Sequence, residues 1–248
     1  MSTLYITGAG VSAQSGIPTF RGEDGFWTIG SVNYTPQEMA TREMYLNHPD
    51  AFLLWYFRRF ACYRDIVPND VHHWLSDKRL ITQNIDGLDG KAGNGTYIPI
   101  HGRLDKVTVL HQQGETVALL DAPWEQVVSQ CPDIEDDEAV KKALLDAFRI
   151  SKISLIPELG HSLKPFVLLF DEYYTDLYRM NMAENWMQKS TRFVFIGTSF
   201  SVNITNIALR LAIMNGAEIH VVDPSPIDLG MEQITYHKMR ADEYICHA

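Results

Sequence analysis

The chain has 248 residues, 46% of them hydrophobic, enough to bury one large core with a smaller lobe attached. Its formal net charge of −10 disfavours generic binding to nucleic acid, and no apolar stretch approaches the length that spans a membrane. The first residues lack a basic region followed by a long apolar core, so we expect no secretion signal and a cytoplasmic protein. Three scattered cysteines fit free thiols in a reducing compartment.

Short aliphatic runs alternate with longer amphipathic stretches, which predicts an α/β fold with a mostly parallel sheet. These runs are continuously apolar, as is typical of strands covered on both faces. The predicted strands are Leu4–Thr7, Leu80–Gln83, Tyr97–Ile100, Phe166–Phe170, Phe193–Ile196 and Ile219–Val222.

Two long inserts interrupt the strands, one between the first and second and one after the third. Capping residues, proline and helical periodicity identify helices in both inserts, and the second also contains a short hairpin pattern. The predicted elements are a helix start at Thr35-Pro36, a helix over Asp50–Tyr63, hairpin strands Val107–Leu110 and Val117–Leu120, and a helix from Asp136 to Phe148.

A glycine-rich turn, Gly8-Ala9-Gly10-Val11-Ser12-Ala13, follows the first predicted strand and starts a helix. Glycines at such a turn let backbone N–H groups approach a pyrophosphate closely. The pattern alone also fits a dehydrogenase fingerprint or a tight turn without a ligand. Ser15-Gly16-Ile17-Pro18 stops the helix after about two turns, and a loop with Phe20 and Arg21 follows instead of a strand. This order disfavours hydride transfer.

The run from Gly8 to Arg21 closely resembles the signature of the sirtuins, the NAD-dependent protein deacylases. Further segments resemble sirtuin motifs in the same order along most of the chain, whereas the two inserts match poorly. The segments are Thr82-Gln83-Asn84-Ile85-Asp86-Gly87-Leu88 for nicotinamide and ribose, His101-Gly102-Arg103-Leu104 for the catalytic histidine, Lys164–Glu172 for acyl-lysine, and Gly197-Thr198-Ser199 with Val221-Val222-Asp223 for ribose.

The resemblance implies a Rossmann-like parallel sheet domain with a smaller lobe built from two insertions. The large NAD-binding lobe is expected over residues 1–34, 77–104 and 164–248, and the small lobe over residues 35–76 and 105–163. Together these segments form one catalytic domain.

The resemblance also assigns roles around NAD. His101 would be the general base for a ribose hydroxyl, and Asn84 would orient the ribose or a water, which makes these two the expected catalytic residues. Asp86 would accept a hydrogen bond from the nicotinamide carboxamide, Phe20 would cover the nicotinamide site, and Arg21 would lie near the phosphates. The remaining expected cofactor contacts are Gly8, Ala9, Gly10, Ser12, Ala13, Gln83, Ile85, Gly197, Thr198, Ser199 and Asp223.

Each of these residues also has an ordinary interpretation. An isolated Asn-x-Asp or His-Gly is more often a simple turn, and Ser199 could only cap a helix that begins near Asn203. The adjacent His72 and His73 point in different directions on a helix, so core or surface positions are favoured over a metal site. The functional interpretation depends on the shared order of the motifs.

Two features depart from the sirtuin pattern. Most sirtuins hold a zinc ion with two cysteine pairs, but the second insert has only Cys131, so we expect no structural zinc. The small lobe would instead be held by the apolar face of Val140, Leu144, Leu145 and Phe148.

The second departure concerns the acyl-peptide segment, Phe170, Asp171 and Glu172, in which sirtuins generally have glycine at the middle position. An aspartate side chain there could hinder a peptide from adding as an extra strand. Trp55 and Arg58 lie where some sirtuins read acidic acyl groups with Tyr and Arg, and the tryptophan argues against that preference.

The expected function is therefore NAD-dependent protein-lysine deacylation, with NAD and an acylated protein or peptide as partners and an unknown oligomeric state. An alternative with the same NAD cleavage is protein ADP-ribosyl transfer or NAD hydrolysis. A binding module that only senses NAD is less consistent with the sequence, because a sensor has no need of the base His101.

Overall fold

A computed structural model describes residues 2–19 and 34–247. The chain forms two compact units. The first, here called the parallel-sheet unit, comprises Met1–Thr19, Ile66–His101 and Tyr178–Ala248. The second, called the antiparallel-sheet unit, comprises Phe20–Asp65 and Gly102–Leu177. The lobe boundaries inferred from the sequence stay a prediction.

Nine strands and ten α-helices make up the described chain. The strands are β1 Thr3–Thr7, β2 Leu80–Thr82, β3 Ile98–Pro99, β4 Gly102–Val109, β5 Leu120–Asp121, β6 Leu163–Val167, β7 Arg192–Ile196, β8 Glu218–Val222 and β9 Ile234–His237. The helices are α1 Pro36–Met39, α2 Arg42–Asn47, α3 Pro49–Arg59, α4 Asp70–Trp74, α5 Leu88–Lys91, α6 Trp124–Gln130, α7 Asp137–Ala147, α8 Met180–Lys189, α9 Asn203–Met214 and α10 Ala241–Ile245.

The parallel-sheet unit contains a six-stranded sheet in the order β3-β2-β1-β7-β8-β9. All neighbouring strands are parallel, and β1 lies between β2 and β7. The strand order reverses on either side of β1, and open α/β sheets bind ligands beyond the carboxyl ends of their strands at such a point. The topology therefore directs attention to the residues that follow these strands.

The predicted parallel sheet and α/β class are confirmed, with two differences in detail. The apolar run expected at Phe166–Phe170 forms its strand three residues earlier, as β6, and pairs antiparallel with β4 in a separate three-stranded sheet. All five residues of β6 are buried, which explains why the sequence resembles a central parallel strand. The edge strand β9 was missed because its half-exposed residues form no continuous apolar run.

Local capping signals explain where several helices begin. Thr35 caps α1 through a reciprocal pair of hydrogen bonds with Glu38, as Thr35-Pro36 predicted. Asp136 caps α7, which ends at Ala147 close to the predicted end. The glycine-rich turn after β1 differs from the expectation, because Ala9–Val11 and Ala13–Ser15 form two short 3₁₀ turns rather than an α-helix.

The antiparallel-sheet unit is built around an aromatic core. Tyr56 and Phe57 of α3 pack against Trp124, whose ring lies 5.4 Å from that of Phe148. The predicted apolar face of α7 is buried, with Val140, Leu144, Leu145 and Phe148 each at most 4% exposed. Within the described residues, no helix is both long and apolar enough to cross a membrane.

Candidate active site

Five neighbouring strands of the parallel sheet are each followed directly by predicted site residues. Because the strands are parallel, their carboxyl ends lie at one edge of the sheet. The residues are Gly8, Ala9, Gly10, Ser12 and Ala13 after β1; Gln83, Asn84, Ile85 and Asp86 after β2; His101 after β3; Gly197, Thr198 and Ser199 after β7; and Asp223 after β8. Phe20 and Arg21 lie outside the described residues.

The glycines after β1 and β7 permit a very close approach of two loops. A Cβ atom at Gly8 would lie 2.7 Å from the carbonyl oxygen of Gly197, and one at Gly10 would lie 2.6 Å from the Gly197 Cα atom. The Gly10 N–H also donates a 3.0 Å hydrogen bond to the Gly197 carbonyl. These glycines are therefore required by loop packing at the sheet edge, apart from any contact with a ligand.

Ser12 connects the glycine-rich turn to the residues after β2. Its hydroxyl donates to Asp86 Oδ2 at 2.6 Å and accepts from Asn84 Nδ2 at 3.1 Å. The same Asn84 amide donates to the Gly8 carbonyl at 3.1 Å. The structure therefore brings Ser12, Asn84 and Asp86 into one buried network.

A second set of hydrogen bonds joins β1, β2 and the loop after β7. Gln83 Nε2 donates to the Thr7 carbonyl and to Thr198 Oγ1, both at 3.0 Å. The hydroxyl of Thr7 donates to that of Thr82 at 2.9 Å. All four side chains are buried. Such a fully engaged polar network fixes the positions of the loops that carry it.

His101 follows β3 and is held by the backbone of the neighbouring strand end. Its Nδ1 lies 3.0 Å from the Gln83 carbonyl oxygen. A carbonyl can only accept, so Nδ1 carries the proton in the neutral imidazole and the basic lone pair is on Nε2. Burial lowers the pKa of His101 to about 4, although the contact with Gln83 opposes this shift. The imidazole is therefore neutral near pH 7, the form a general base requires.

Two buried carboxyl groups lie at the start of α5. Burial raises the pKa of Asp86, and the hydrogen bonds from Ser12 and the Leu88 N–H act in the opposite direction. Burial and the nearby charge of Asp86 raise the pKa of Asp89 to about 7. Asp89 Oδ1 is buried and has no hydrogen-bond partner within the described chain. Shifted pairs of this kind are concentrated at functional sites.

The residues after β7 and β8 are less enclosed. Ser199 Oγ lies 2.5 Å from Ser201 Oγ. Asp223 accepts from the Ser225 N–H at 2.8 Å through Oδ1. The alternative in which Ser199 only caps a helix is wrong, because α9 has Val202 at its N-cap position and no side-chain cap. Both side chains are partly exposed at the same sheet edge, where a ligand hydroxyl could reach them.

The predicted acyl-peptide residues lie in the antiparallel-sheet unit, just after β6. Phe170 is 55% exposed, and its N–H donates to the Ala40 carbonyl at 3.0 Å. The Asp171 carboxylate accepts from the Arg42 and Glu43 N–H groups at the start of α2. The acyl-peptide segment is therefore anchored within its own unit.

Glu172 lies at the centre of a buried ionic network in the same unit. Its carboxylate pairs with Lys164 Nζ and with Arg42 Nη1, both at 3.0 Å, and also accepts from the Leu169 N–H. Lys164 Nζ donates in addition to the Val167 carbonyl at 2.9 Å, and the Arg42 guanidinium donates to the His111 carbonyl. Burial lowers the pKa of Lys164, and the adjacent Glu172 opposes that shift.

The structure also describes Trp55 and Arg58, the two residues considered above for the acyl preference. Arg58 pairs with Asp137 at 2.8 Å on an exposed surface, and Trp55 Nε1 is buried without a hydrogen-bond partner within the described residues. In the part of the chain that the structure describes, no three or more His, Cys, Asp or Glu side chains form a group that could hold a metal ion. The absence of a structural zinc stays a prediction.

Sequence reasoning missed three residues of the polar network: Asn69, His72 and Asp89. For His72 the sequence favoured a core or surface position over a metal site without predicting a contact, and the residue is fully buried with Nε2 3.4 Å from Ser12 Oγ. The spacing of Asn69 and His72 matches that of a helix-capping pair, which signals a helix start but not its partner across the sheet edge. Asp89 follows the recognised motif and gave no separate signal.

Comparisons with known proteins point to one family. A model of the Sir2 family matches residues 8–204. The chain is 28% identical, over 98% of its length and 90% of the relative's, to NAD-dependent protein deacylase 1 of Caldanaerobacter subterraneus subsp. tengcongensis. It is 30% identical, over 90% of its length and 79% of the relative's, to an NAD-dependent protein deacetylase of Sulfolobus acidocaldarius. A Sir2 homologue mutant solved with ADP-ribose has 25% identity and a TM-score of 0.72, covering 99% of this chain and 89% of that one.

Proposed function

Because the chain belongs to the Sir2 family, we propose that it is an NAD-dependent protein-lysine deacylase. The enzyme cleaves the bond between nicotinamide and ribose and transfers the acyl group of an acylated lysine to ADP-ribose. The observation that carries this proposal is the polar network at the carboxyl ends of β1, β2 and β7, next to a neutral His101.

The side chains at the sheet edge fit NAD chemically. Asn84, Asp86 and Thr198 are at most 8% exposed, and a buried polar group is retained when it is hydrogen-bonded or serves a ligand. Asp89 Oδ1 is buried but lacks a partner within the described residues, so one acceptor at this edge is unsatisfied. Amide, hydroxyl and carboxyl groups together suit a ligand that carries a carboxamide and several hydroxyls. When bound, NAD supplies the activated glycosidic bond.

We assign to His101 the role of general base for a ribose hydroxyl. Its Nδ1–H group is fixed by the Gln83 carbonyl, which holds the ring in one orientation and leaves the lone pair on Nε2. The low pKa keeps the ring unprotonated at neutral pH. Because the ring is already held in the required tautomer and orientation, no further ordering of the side chain is needed before Nε2 accepts the proton.

Asn84 and Asp86 are assigned to the ribose and nicotinamide end. Asn84 is held by the Gly8 carbonyl and by Ser12, which leaves its Oδ1 atom as the acceptor for a hydroxyl or a water. Asp86 receives the Ser12 hydroxyl on Oδ2 and the Leu88 N–H on Oδ1. These contacts fix the orientation in which a carboxylate can accept from a carboxamide.

The remaining expected contacts belong to the phosphates and the adenosine ribose in this proposal. Ala9, Ala13 and Ile85 line the turns after β1 and β2, and Ser199 and Asp223 present partly exposed oxygens after β7 and β8. Phe20 and Arg21 keep their proposed roles over the nicotinamide and beside the phosphates.

The proposal that the substrate is an acylated lysine is supported by a different segment, just after β6. Phe170 presents an exposed ring, which suits contact with an acyl-lysine stem, and we retain Phe170, Asp171 and Glu172 as the proposed substrate-binding residues. Asp171 and Glu172 would act by fixing the backbone beside Phe170, because both carboxylates are engaged within their unit. The acetylated or otherwise acylated partner remains part of the proposal.

One observation favours the alternative reactions, in which protein or water rather than an acyl-lysine receives the ADP-ribosyl group. The Phe170 N–H already donates to the Ala40 carbonyl, so this amide is not available to pair with an added peptide strand. ADP-ribosyl transfer to protein, or hydrolysis of NAD by water, uses the same NAD site and needs no strand addition. This alternative therefore stays as the second candidate.

Incubation with NAD, with and without a panel of acetylated and succinylated peptides, tests the proposal. Deacylation predicts acyl-ADP-ribose and a free lysine only when peptide is present. ADP-ribose without peptide would establish hydrolysis instead, and a modified protein would establish transfer. The absence of any NAD cleavage under all conditions would contradict the proposal.

The charge of the chain bears on the cellular location of the protein and on its partners. We propose that the protein acts in the cytoplasm on a protein or peptide, and that it binds neither nucleic acid nor a membrane surface. The support is the net charge of −10, which opposes attraction to phosphates and to anionic lipids. Fractionation of cells that express the protein would test its location.

A further inference from the structure

The first turn of α4 contacts the glycine-rich turn after β1 through side chains outside every recognised motif. Asn69, at the N-cap position of α4, donates through Nδ2 to the Val11 carbonyl at 2.9 Å and to Ser15 Oγ at 3.1 Å. Its Oδ1 accepts from N–H groups of the helix itself. One asparagine therefore caps α4 and fixes the turn.

His72 is the third residue of α4 and is completely buried. The Asn69 backbone N–H lies 3.2 Å from Nδ1 and can only donate, so Nδ1 carries the lone pair and the proton is on Nε2. Asn69 Oδ1, 2.9 Å from the same nitrogen, already accepts two backbone N–H groups. Burial lowers the pKa of His72 to about 4, which keeps the imidazole neutral. Its Nε2–H group therefore points a single donor at Ser12 Oγ, 3.4 Å away.

The hydroxyl of Ser12 has one proton and two lone pairs. The proton is donated to Asp86, one lone pair accepts from Asn84, and the other accepts from His72. His72 thus completes the set of partners that fixes the Ser12 hydroxyl in one rotamer. Without it, the hydroxyl loses one of the contacts that aim its proton at Asp86.

We propose that His72 is a positioning residue for NAD cleavage, acting through Ser12 to hold Asp86 ready for the nicotinamide carboxamide. This inference rests on the proposed function, because it concerns the same NAD site. His72 touches no reacting atom in this proposal. Its effect should therefore be confined to ligands that carry nicotinamide.

The competing explanation is that His72 only caps α4 and fills the core. Its Nδ1 does accept the Asn69 N–H, and loss of a cap weakens a helix. A general loosening of the turn would weaken every ligand bound there. A comparison of NAD with ADP-ribose, which lacks nicotinamide, separates the two explanations.

The experiment is calorimetric titration of the full-length protein with NAD and with ADP-ribose. His72→Phe keeps a ring of similar shape but removes both nitrogens, and His72→Met serves the same purpose if that variant does not fold. His72→Gln restores an acceptor for Asn69 and a donor for Ser12. His73→Phe is the matched control, because His73 is exposed on the same helix.

We expect H72F to lower NAD affinity roughly tenfold, the effect of one buried hydrogen bond, while ADP-ribose affinity changes less than about twofold. H72Q should recover most of the NAD affinity, and H73F should match the wild type. Equal losses for both ligands, or no loss for either, would overturn the inference. Failure of the wild type to bind both ligands would contradict the proposed function itself.

A double-mutant cycle tests the route through Ser12. If His72 acts only through that hydroxyl, H72F should cause little further loss of NAD affinity in a Ser12→Ala background. Full additivity of the two substitutions would show that His72 does not act through Ser12.

Discussion

Each of the two units buries a cluster of polar side chains, and the two clusters are built differently. In the antiparallel-sheet unit, Lys164 and Arg42 both pair with the carboxylate of Glu172. In the parallel-sheet unit, Asp86 accepts from two neutral donors, the Ser12 hydroxyl and the Leu88 N–H. The first cluster balances charge with charge, whereas the carboxylate of the second has no cationic partner in direct contact among residues 2–19 and 34–247.

The difference supports the proposal that the sheet-edge cluster serves a ligand, whereas the ionic network serves folding. A buried charge with an opposite partner and further hydrogen bonds is stable without help, as in the ionic network around Glu172. The sheet-edge cluster instead holds carboxyl groups with raised pKa values and a histidine with a lowered one. Ionisable groups with shifted pKa values of this kind are typical of sites that act on a ligand.

The largest expected effect comes from breaking the ionic network. Glu172→Leu leaves Lys164 and Arg42 without their carboxylate, so the free energy of unfolding should fall by about 3–5 kcal/mol. Urea denaturation measures this loss. The double variant Lys164→Met/Glu172→Leu should recover part of the stability, and no recovery would show that the pair is not the source of the effect.

Removal of the proposed base should affect activity rather than folding. His101→Ala is expected to lower the rate of nicotinamide release at least about a hundredfold, because general base catalysis contributes that much. NAD binding should remain, since the imidazole acts on the reacting sugar. The rate is followed by chromatography of nicotinamide, with His73→Ala as control, and a variant with full turnover would disprove the assignment.

The raised pKa of Asp89 predicts a dependence of stability on pH. The folded protein binds the Asp89 proton up to about pH 7, whereas the unfolded chain releases it near 4, so wild-type stability falls as the pH rises between these values. Asp89→Asn cannot ionise, so its stability relative to wild type should be higher at pH 8.5 than at pH 4 by on the order of 4 kcal/mol.

Urea denaturation of both proteins at the two pH values measures this difference. Asp65→Asn is the control, because the Asp65 side chain is 84% exposed. A gap between wild type and the Asp89 variant that does not change with pH would show that Asp89 ionises normally in the folded protein.

The smallest expected effect concerns the departure at Asp171. Its carboxylate accepts two N–H groups at the start of α2, so Asp171→Ala should lower the free energy of unfolding by about 1 kcal/mol. Asp65→Ala, on an exposed surface, should change it by only a few tenths. If Asp171 also hinders an added peptide strand, Asp171→Gly should improve turnover of acylated peptides while NAD cleavage without peptide is unchanged.

Sequence motifs predicted most of the sheet edge, because they are local. Each motif follows a short apolar run, and in a parallel sheet the residues after the strands meet at one edge whatever the details of the helices. Asn84, Asp86 and His101 therefore follow β2 and β3 at one edge, as the sequence predicts. Their catalytic roles stay predictions until kinetics test them.

Contacts between distant segments of the chain could not be predicted from the sequence. His72 and Ser12 are 60 residues apart and meet only because α4 packs beside the turn after β1. Asp171 binds the start of α2, which lies 129 residues earlier in the chain. Side-chain patterns report the spacing of a helix or strand, but they carry no information about which distant turn a capping carboxylate or a buried imidazole will face.

The sequence by itself determined the α/β class, the carboxyl-edge location of the motifs and the family resemblance, because periodicity and short motifs are properties of neighbouring residues. Only the tertiary structure decided that β6 joins an antiparallel sheet, that Glu172 closes an ionic network, and that His72 supports Ser12. The physical reason is that burial sets both pKa values and hydrogen-bond partners, and burial depends on the packing of the folded chain.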